Sequence, residues 1–87
     1  MHLGGDTVAV ALVTGGSRGI GAAICRKLAA EGYTVAVNYQ KNAATAKALA
    51  ADIGGRAYCA DVSRFDEVCT MFDSVERELG AVEILVN

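Results

Sequence analysis

The sequence lacks the features that mark membrane, secreted and metal-binding proteins. Its longest apolar run, residues 8–13, is far too short to span a bilayer, and the N-terminus has no secretion signal. Cys25, Cys59 and Cys69 form no Cys-x-x-Cys pair, and His2 is the only histidine, so no metal-ligand spacing is present. An odd number of cysteines without a signal peptide predicts reduced thiols in a cytoplasmic protein, most of them small core residues.

Charge of one sign, proline and low-complexity segments are also scarce. The net charge is −2 and no run of like charges occurs, which gives no electrostatic case for a nucleic-acid surface. Proline is absent, and there is no linker or internal repeat. What remains is apolar, with 53% hydrophobic residues and a mean hydropathy of +0.33. Residues 1–87 therefore predict one small folded unit or part of a larger domain.

The chain alternates between strand-like and helix-like patterns. Apolar, β-branched segments predict strands at residues 8–14, 34–39, 56–62 and 82–87. Apolar residues at helical spacing predict helices at residues 19–31, 43–53 and 64–79, each followed by glycine. This βαβαβαβ order with short turns predicts an α/β fold, a doubly wound parallel sheet with strand order 3-2-1-4. The first two helices would cover one face of the sheet and the third helix the other.

Capping residues and an apolar face support the second and third helices. Asn42 and Ser63 are the predicted N-caps, and Asp66 suits the acidic partner of a capping box with Ser63. The apolar face of the third helix would consist of Phe65, Val68, Phe72, Val75 and Leu79. Cys25 and Cys69 fall on apolar helix faces, so we expect them to serve packing.

The last predicted strand runs to the end of the sequence without a turn, a cap or a polar tail. A parallel strand in the middle of a sheet is not where a domain should stop. We therefore expect residues 1–87 to be the N-terminal part of a single, longer domain.

A glycine-rich loop follows the first predicted strand. The stretch VTGGSRGIG, residues 13–21, contains four glycines and one arginine. Gly15 and Gly16 allow a sharp turn, Gly19 lets backbone approach a pyrophosphate, and Gly21 lets the helix pack close to the sheet. The alternative is a structural turn that happens to be rich in glycine. Because a buried strand precedes the loop and an amphipathic helix follows it, we predict a nucleotide site in a Rossmann-type domain.

The residues around the loop distinguish among nucleotides. A P-loop would need Gly-Lys followed by Ser or Thr, and the spacing here is Gly-x-x-x-Gly-x-Gly rather than Gly-x-Gly-x-x-Gly. NAD-type and methyltransferase-type sites carry an acid at the end of the second strand, where this chain reads NYQK. Without an acid there, nothing repels a 2′-phosphate, and Arg18, helped by Lys41, would pair with it. We predict NADP(H) as the cofactor; the alternative for Arg18 is a solvated loop cation.

With Thr14 in front of this loop, the chain resembles the short-chain dehydrogenase/reductase family through essentially all 87 residues. It is most similar to the NADPH-dependent 3-oxoacyl-[acyl-carrier-protein] reductases. The stretch CADV matches the end of the family's third strand, and ILVN matches the start of its Asn-Asn-Ala-Gly motif, with Asn87 as the first asparagine. The resemblance implies a parent oxidoreductase that reduces a carbonyl, such as that of a 3-oxoacyl thioester, to an alcohol. It also implies a small-molecule substrate, and we expect a homo-oligomer. From the net charge and the short apolar runs we expect no nucleic-acid or membrane partner.

The same resemblance implies the cofactor contacts. Asp61 would hydrogen-bond the adenine amino group and Val62 would lie against the ring; the alternative for Asp61 is a cap on the following turn. Asn38 and Tyr39 would contact the adenosine ribose loosely or be ordinary strand-end residues. The complete predicted set is Thr14, Gly15, Ser17, Arg18, Gly19, Ile20, Gly21, Asn38, Tyr39, Asp61, Val62 and Asn87.

The family's catalytic serine and its Tyr-xxx-Lys pair lie beyond the part of the family pattern that this chain matches. The three tyrosines are followed four residues later by Val37, Ala43 and Val62, so no such pair occurs. We therefore expect these 87 residues to hold cofactor-binding residues, no catalytic residue and no metal. The alternative is a non-catalytic module that binds NADP(H) or a partner protein.

Overall fold

A computed structural model describes residues 9–87 as a parallel sheet flanked by helices. The elements in chain order are β1 Val10–Val13, α1 Gly19–Ala30, β2 Thr34–Tyr39, α2 Ala43–Ile53, β3 Arg56–Cys59, α3 Phe65–Glu78 and β4 Val82–Val86. All strand pairs are parallel, and the strand order is β3-β2-β1-β4. The predicted α/β fold and its strand order are confirmed.

The central strand β1 fixes the register of its two neighbours. Val10 is aligned with Thr34 of β2 on one side and with Val82 of β4 on the other. Between Val82 and Ile84 the β4 register shifts, which leaves Glu83 as one extra residue opposite β1. Beyond this irregularity the two strands run in step to their ends.

Two apolar clusters cover the two faces of the sheet. On one face, side chains of β1 and β2 pack with Cys25 of α1 and with Ala46, Leu49 and Ala50 of α2. On the other face, the sheet packs with Met71 and Val75 of α3. This arrangement is the predicted one, with two helices on one face and the third on the other.

Strand and helix ends differ from the prediction where turns begin earlier than expected. Val8 lies outside the described residues, and Thr14 belongs to the turn after β1. The strand β3 ends at Cys59, three residues before the predicted end at Val62. The physical reason is a local turn, because the side chain of Asp61 accepts a hydrogen bond from the backbone N–H of Ser63 at 3.0 Å.

The start of α3 also corrects the sequence-based expectation. Arg64 occupies the N-cap, since the hydroxyl of Ser63 donates to Asp61 at 2.7 Å instead of capping the helix. Glu67 rather than Asp66 reaches back, and it accepts the N–H of Asp61 at 2.8 Å. The N-cap of α2 is Asn42 as predicted, although its side chain forms no capping hydrogen bond.

Three apolar side chains are placed differently from the prediction. Phe65, expected on the buried face of α3, is 83% exposed because it lies in the first turn, before the helix meets the sheet. Cys25 is buried as expected, whereas Cys59 and Cys69 are exposed. Cys69 is two residues from buried Met71, about 200° around the helix, and Cys59 lies at the end of the edge strand β3.

Candidate nucleotide-binding site

The predicted site lies at one edge of the sheet, where β1, β2 and β3 all end. The turn at residues 14–18 follows β1, Gln40 and Lys41 follow β2, and Asp61 and Val62 follow β3. Because the strands are parallel, their carboxyl ends meet at this edge. The fold therefore brings the separate parts of the predicted site together.

The glycines shape the turn between β1 and α1. Gly15 and Gly19 have φ angles of 61° and 63°, in the left-handed region that side-chain-bearing residues rarely adopt. Glycine is needed at position 21 for a different reason, since a Cβ there would overlap the carbonyl oxygen of Gly15 and lie 2.9 Å from Cα of Gly16. The first turn of α1 can thus lie directly on the loop.

The N-terminus of α1 presents unpaired backbone donors. The first bond within the helix runs from the N–H of Ala22 to the carbonyl of Arg18 at 3.3 Å. The N–H groups of Gly19, Ile20 and Gly21 precede it and have no acceptor within the helix. The first turn also contains no acidic residue, so the positive end of the helix dipole is not neutralised there. This arrangement suits a pyrophosphate.

Asn38 lies at the end of β2 with its side chain turned inward, and it is 2% exposed. Its side-chain oxygen accepts the N–H of Gly15 at 3.1 Å, and its backbone carbonyl accepts the N–H of Gly16 at 3.0 Å. Its side-chain nitrogen donates to the carbonyls of Tyr58 at 3.3 Å and Ala60 at 3.2 Å. The side-chain amide of Asn38 is thus hydrogen-bonded within the protein, as in the alternative of a strand-end residue, and the loose ribose contact stays a prediction.

An open groove of about 370 Å³ separates the glycine loop from the segment after β2. Its lining residues are Gly15, Ser17, Arg18, Tyr39, Gln40, Lys41 and Asn42. Two of them, Arg18 and Lys41, are exposed cations, and within residues 9–87 no carboxylate lines this groove. Arg18 is the N-cap of α1, but its side chain forms no capping hydrogen bond. The groove is therefore suited to a phosphate group.

The turn after β3 holds Asp61 with its carboxylate already partly engaged. The oxygen that accepts the hydroxyl and the N–H of Ser63 is a single one, Oδ1. These hydrogen bonds from Ser63 lower the pKa of Asp61 below its ordinary value of 3.8, so the group is ionised at neutral pH. Both interpretations of Asp61, a cap on the turn and a partner for the adenine amino group, fit this geometry, since Asp61 caps the turn and remains only half-buried.

Thr14 and Asn87 meet at the carboxyl ends of the neighbouring strands β1 and β4. The hydroxyl of Thr14 donates to the backbone carbonyl of Val86 at 3.2 Å and lies 3.4 Å from the side-chain oxygen of Asn87. The N–H of Thr14 also donates to the Val86 carbonyl, at 2.9 Å. These contacts join the first and last segments of the site.

Two apolar members of the predicted set are open to solvent. Ile20 is 81% exposed and Val62 is 54% exposed. Ile20 follows the glycine loop and Val62 follows β3, so both lie near the carboxyl ends of the strands. Their exposed surfaces are available to an apolar part of a ligand.

Sequence reasoning missed two contributors to the site. The inward contacts of Asn38 with Gly15, Tyr58 and Ala60 join segments that are 20 or more residues apart, and no local pattern indicates them. The contact of Glu67 with the N–H of Asp61 had a signal, because glutamate is the usual acidic partner near a helix start.

Among residues 9–87, no group of three or more histidine, cysteine or acidic side chains is arranged to hold a metal ion. In the same part of the chain, no helix is both long and apolar enough to cross a membrane.

Comparisons with known proteins follow the whole described chain. Residues 9–87 match the family described as short chain dehydrogenase. The chain is 54% identical over 78 residues to an acetoacetyl-CoA reductase of Rhizobium meliloti (strain 1021), which covers 90% of this chain and 32% of that protein. It is 45% identical over 82 residues to a 3-oxoacyl-[acyl-carrier-protein] reductase of Staphylococcus epidermidis, which covers 88% of this chain and 34% of that one.

A solved structure shares the fold closely. A short chain dehydrogenase from Burkholderia cenocepacia J2315 in complex with NADP superposes with a TM-score of 0.86 and 45% identity, over 91% of this chain and 34% of that one. These comparisons confirm the resemblance stated from the sequence. The chain spans about a third of the length of the relatives it matches.

Proposed function

This chain belongs to the short-chain dehydrogenase family, and we propose that it is the NADP(H)-binding N-terminal part of a carbonyl reductase. One observation carries the proposal: an open helix N-terminus lies beside a groove lined by two cations and, within the described residues, no carboxylate. The helix N-terminus suits a pyrophosphate, and the groove suits a 2′-phosphate. The solved relative bound to NADP, at 45% identity, supports this cofactor.

The residues present fit the cofactor part by part. The open N–H groups of residues 19–21 would hold the pyrophosphate, while Arg18 and Lys41 would hold the 2′-phosphate. Asp61 would accept a hydrogen bond from the adenine amino group, and Val62 would contact the ring. Thr14, Gly15, Ser17, Ile20, Asn38, Tyr39 and Asn87 complete the proposed set. When bound, the nicotinamide supplies the hydride that reduces a carbonyl carbon.

The substrate we propose is a 3-oxoacyl thioester, and the two reductases named above support that class. The complete protein would be a cytoplasmic homo-oligomer, and the free state of Cys25, Cys59 and Cys69 is consistent with a reducing compartment. A non-catalytic module is not favoured, because both of those curated relatives are reductases.

Binding and turnover test the proposal on the complete gene product that contains these residues. Calorimetry should show NADPH binding tighter than NADH by about tenfold or more, the scale of one charge-assisted contact. When acetoacetyl-CoA is then added, the protein should oxidise NADPH. The loss of nicotinamide absorbance measures this reaction. Binding without turnover on any 3-oxoacyl thioester would support the module instead. A preference for NADH, or no binding of either cofactor, would contradict the proposal.

A further inference from the structure

The backbone donors of the glycine loop fall into two groups. The N–H groups of Gly15 and Gly16 already have acceptors, and both acceptors belong to Asn38. The N–H groups of Gly19 and Ile20 precede the first bond of α1 and are open. The N–H groups of Gly15 and Gly16 are therefore not available to an anion that enters the loop, whereas those of Gly19 and Ile20 are.

Asn38 also reaches the other end of the site. Its side-chain nitrogen holds the carbonyl of Ala60, which directly precedes Asp61, and the N–H of Ala60 donates to the carbonyl of Tyr39 at 3.0 Å. The glycine loop and the turn after β3 are thus tied to one point on β2.

Only an amide can make this set of contacts. Asparagine accepts and donates at the same time, and here its oxygen accepts from Gly15 while its nitrogen donates to Tyr58 and Ala60. Aspartate would place a carboxylate against two carbonyl oxygens. Leucine, which has nearly the same shape, would leave all three backbone groups without their partner.

We propose that Asn38 is a positioning residue for cofactor binding, which withholds the Gly15 and Gly16 N–H groups from the ligand and aligns the loop with the turn at Ala60. It acts on the part of the nucleotide that NADP(H) and NAD(H) share, and not on the 2′-phosphate. The inference rests on the proposed function.

Amide hydrogen exchange on the unmodified complete gene product, followed by NMR, tests the first half of this proposal. The Gly15 and Gly16 amides should be protected to the same degree without and with NADP⁺. The Gly19 and Ile20 amides should exchange quickly in the free protein and slowly with NADP⁺. Protection of Gly15 that appears only with NADP⁺ would overturn the inference alone. No response of any loop amide to NADP⁺ would overturn the proposed function as well.

Variants test the second half. Asn38→Leu should raise the Kd of both NADP⁺ and NAD⁺ by about tenfold, the usual effect of one misplaced hydrogen-bonding group, and leave their ratio unchanged. Arg18→Ala should change that ratio instead. In Asn38→Leu the Gly15 amide should lose protection while the Thr14 amide, bonded to Val86, keeps it.

A core variant separates positioning from general destabilisation. Val75→Ala removes buried apolar contacts on the α3 face without touching the loop, so its folded form should bind both cofactors as the unmodified protein does. A folded Asn38→Leu protein with unchanged Kd values would overturn the inference. If Asn38→Leu does not fold, the exchange pattern of the unmodified protein decides the matter.

Discussion

Gly21 in α1 packs directly on the carbonyl oxygen of Gly15, across the turn that joins β1 to the helix. In an isolated helix, replacing glycine by alanine would stabilise the helix by about 1 kcal/mol. Here a Cβ would overlap backbone, which cannot swing aside as a flexible side chain can. We expect Gly21→Ala to lower the free energy of unfolding by about 1–3 kcal/mol, the usual cost of overpacking. Urea unfolding of the complete gene product measures the change.

A second position in the same helix supplies the control. Ala23 is exposed, so Ala23→Gly should lower the free energy of unfolding by about 1 kcal/mol through helix propensity alone. The two substitutions are opposite in chemistry yet should have effects of the same sign. A Gly21→Ala protein that is more stable than the unmodified one would refute the close packing of helix and loop.

The parts of the fold that depend on local pattern could be predicted from the sequence. The strand β2 and the helix α2 have the predicted bounds, because an apolar run and a left-handed glycine, Gly54, mark them. The position of the candidate site, at the carboxyl ends of β1, β2 and β3, could also be predicted from the parallel strand order. The start of α3 could not be predicted, because the side chains of Asp61 and Ser63 bond to each other instead of to the helix.

The contacts of Asn38 show why the rest of the site could not be predicted from the sequence. From the sequence it is one polar residue at the end of an apolar strand. Its partners Gly15 and Ala60 lie 23 and 22 positions away, on two other strand ends. Only the strand order and register place them around one amide, and these depend on packing across the whole sheet.

Arg18 should distinguish the two nicotinamide cofactors. It lines the groove together with Lys41, and no carboxylate of the described residues lies there to repel a 2′-phosphate. We expect Arg18→Ala to weaken NADPH binding by about 1 kcal/mol or more, the scale of a hydrogen bond to a charged group. NADH binding should stay nearly unchanged. Calorimetry on the complete gene product measures both.

Arg26 offers a matched control for that experiment. It lies on the same helix but pairs with Asp52 of α2 at 3.3 Å, away from the groove. Arg26→Ala removes one arginine of equal charge, and both cofactors should bind as before. Equal losses of NADPH and NADH affinity in Arg18→Ala would show that Arg18 does not recognise the 2′-phosphate.

Alkaline pH should destabilise the protein through Tyr58. Its hydroxyl donates to Glu78 at 2.8 Å, and burial together with that carboxylate raises the pKa of Tyr58 from 10.0 to about 12. The pKa of Tyr58 is higher in the folded than in the unfolded protein. Its contribution to the free energy of unfolding is therefore complete below pH 10 and is lost as the pH rises toward 12. Burial raises the pKa of Cys25 from 9.0 to about 11, which adds a loss of the same sign between those values.

Urea unfolding between pH 9 and 12 separates the two groups. In a Cys25→Ala background, Tyr58→Phe should flatten the remaining fall in the free energy of unfolding with pH. An equally steep fall with phenylalanine at position 58 would mean that another group causes the alkaline loss.

The 87-residue polypeptide prepared by itself should show no reductase activity. It contains no Tyr-xxx-Lys pair, so no side chain of the family's type can protonate a carbonyl oxygen beside the nicotinamide. NADPH absorbance with acetoacetyl thioesters should stay at background. Turnover that co-purifies with this polypeptide would reveal a proton donor outside the family pattern.

The same isolated polypeptide should not stay monomeric. Within residues 9–87, β4 pairs only with β1, so the backbone groups on its other edge lack strand partners. Leu85 on this strand is 49% exposed. A few hundred Å² of apolar area in water costs several kcal/mol at about 25 cal/mol per Å², comparable with the whole stability of a small domain.

Association through this edge would pair the free backbone groups and cover apolar area at once. Light scattering on the 87-residue polypeptide should therefore give a mass above that of one chain. A lysine at the edge opposes such pairing, so Leu85→Lys should reduce the association. Phe65→Ser, which removes an 83% exposed apolar side chain from the start of α3, should leave the association unchanged. A monomer with a sharp unfolding transition would show that the edge of β4 tolerates water.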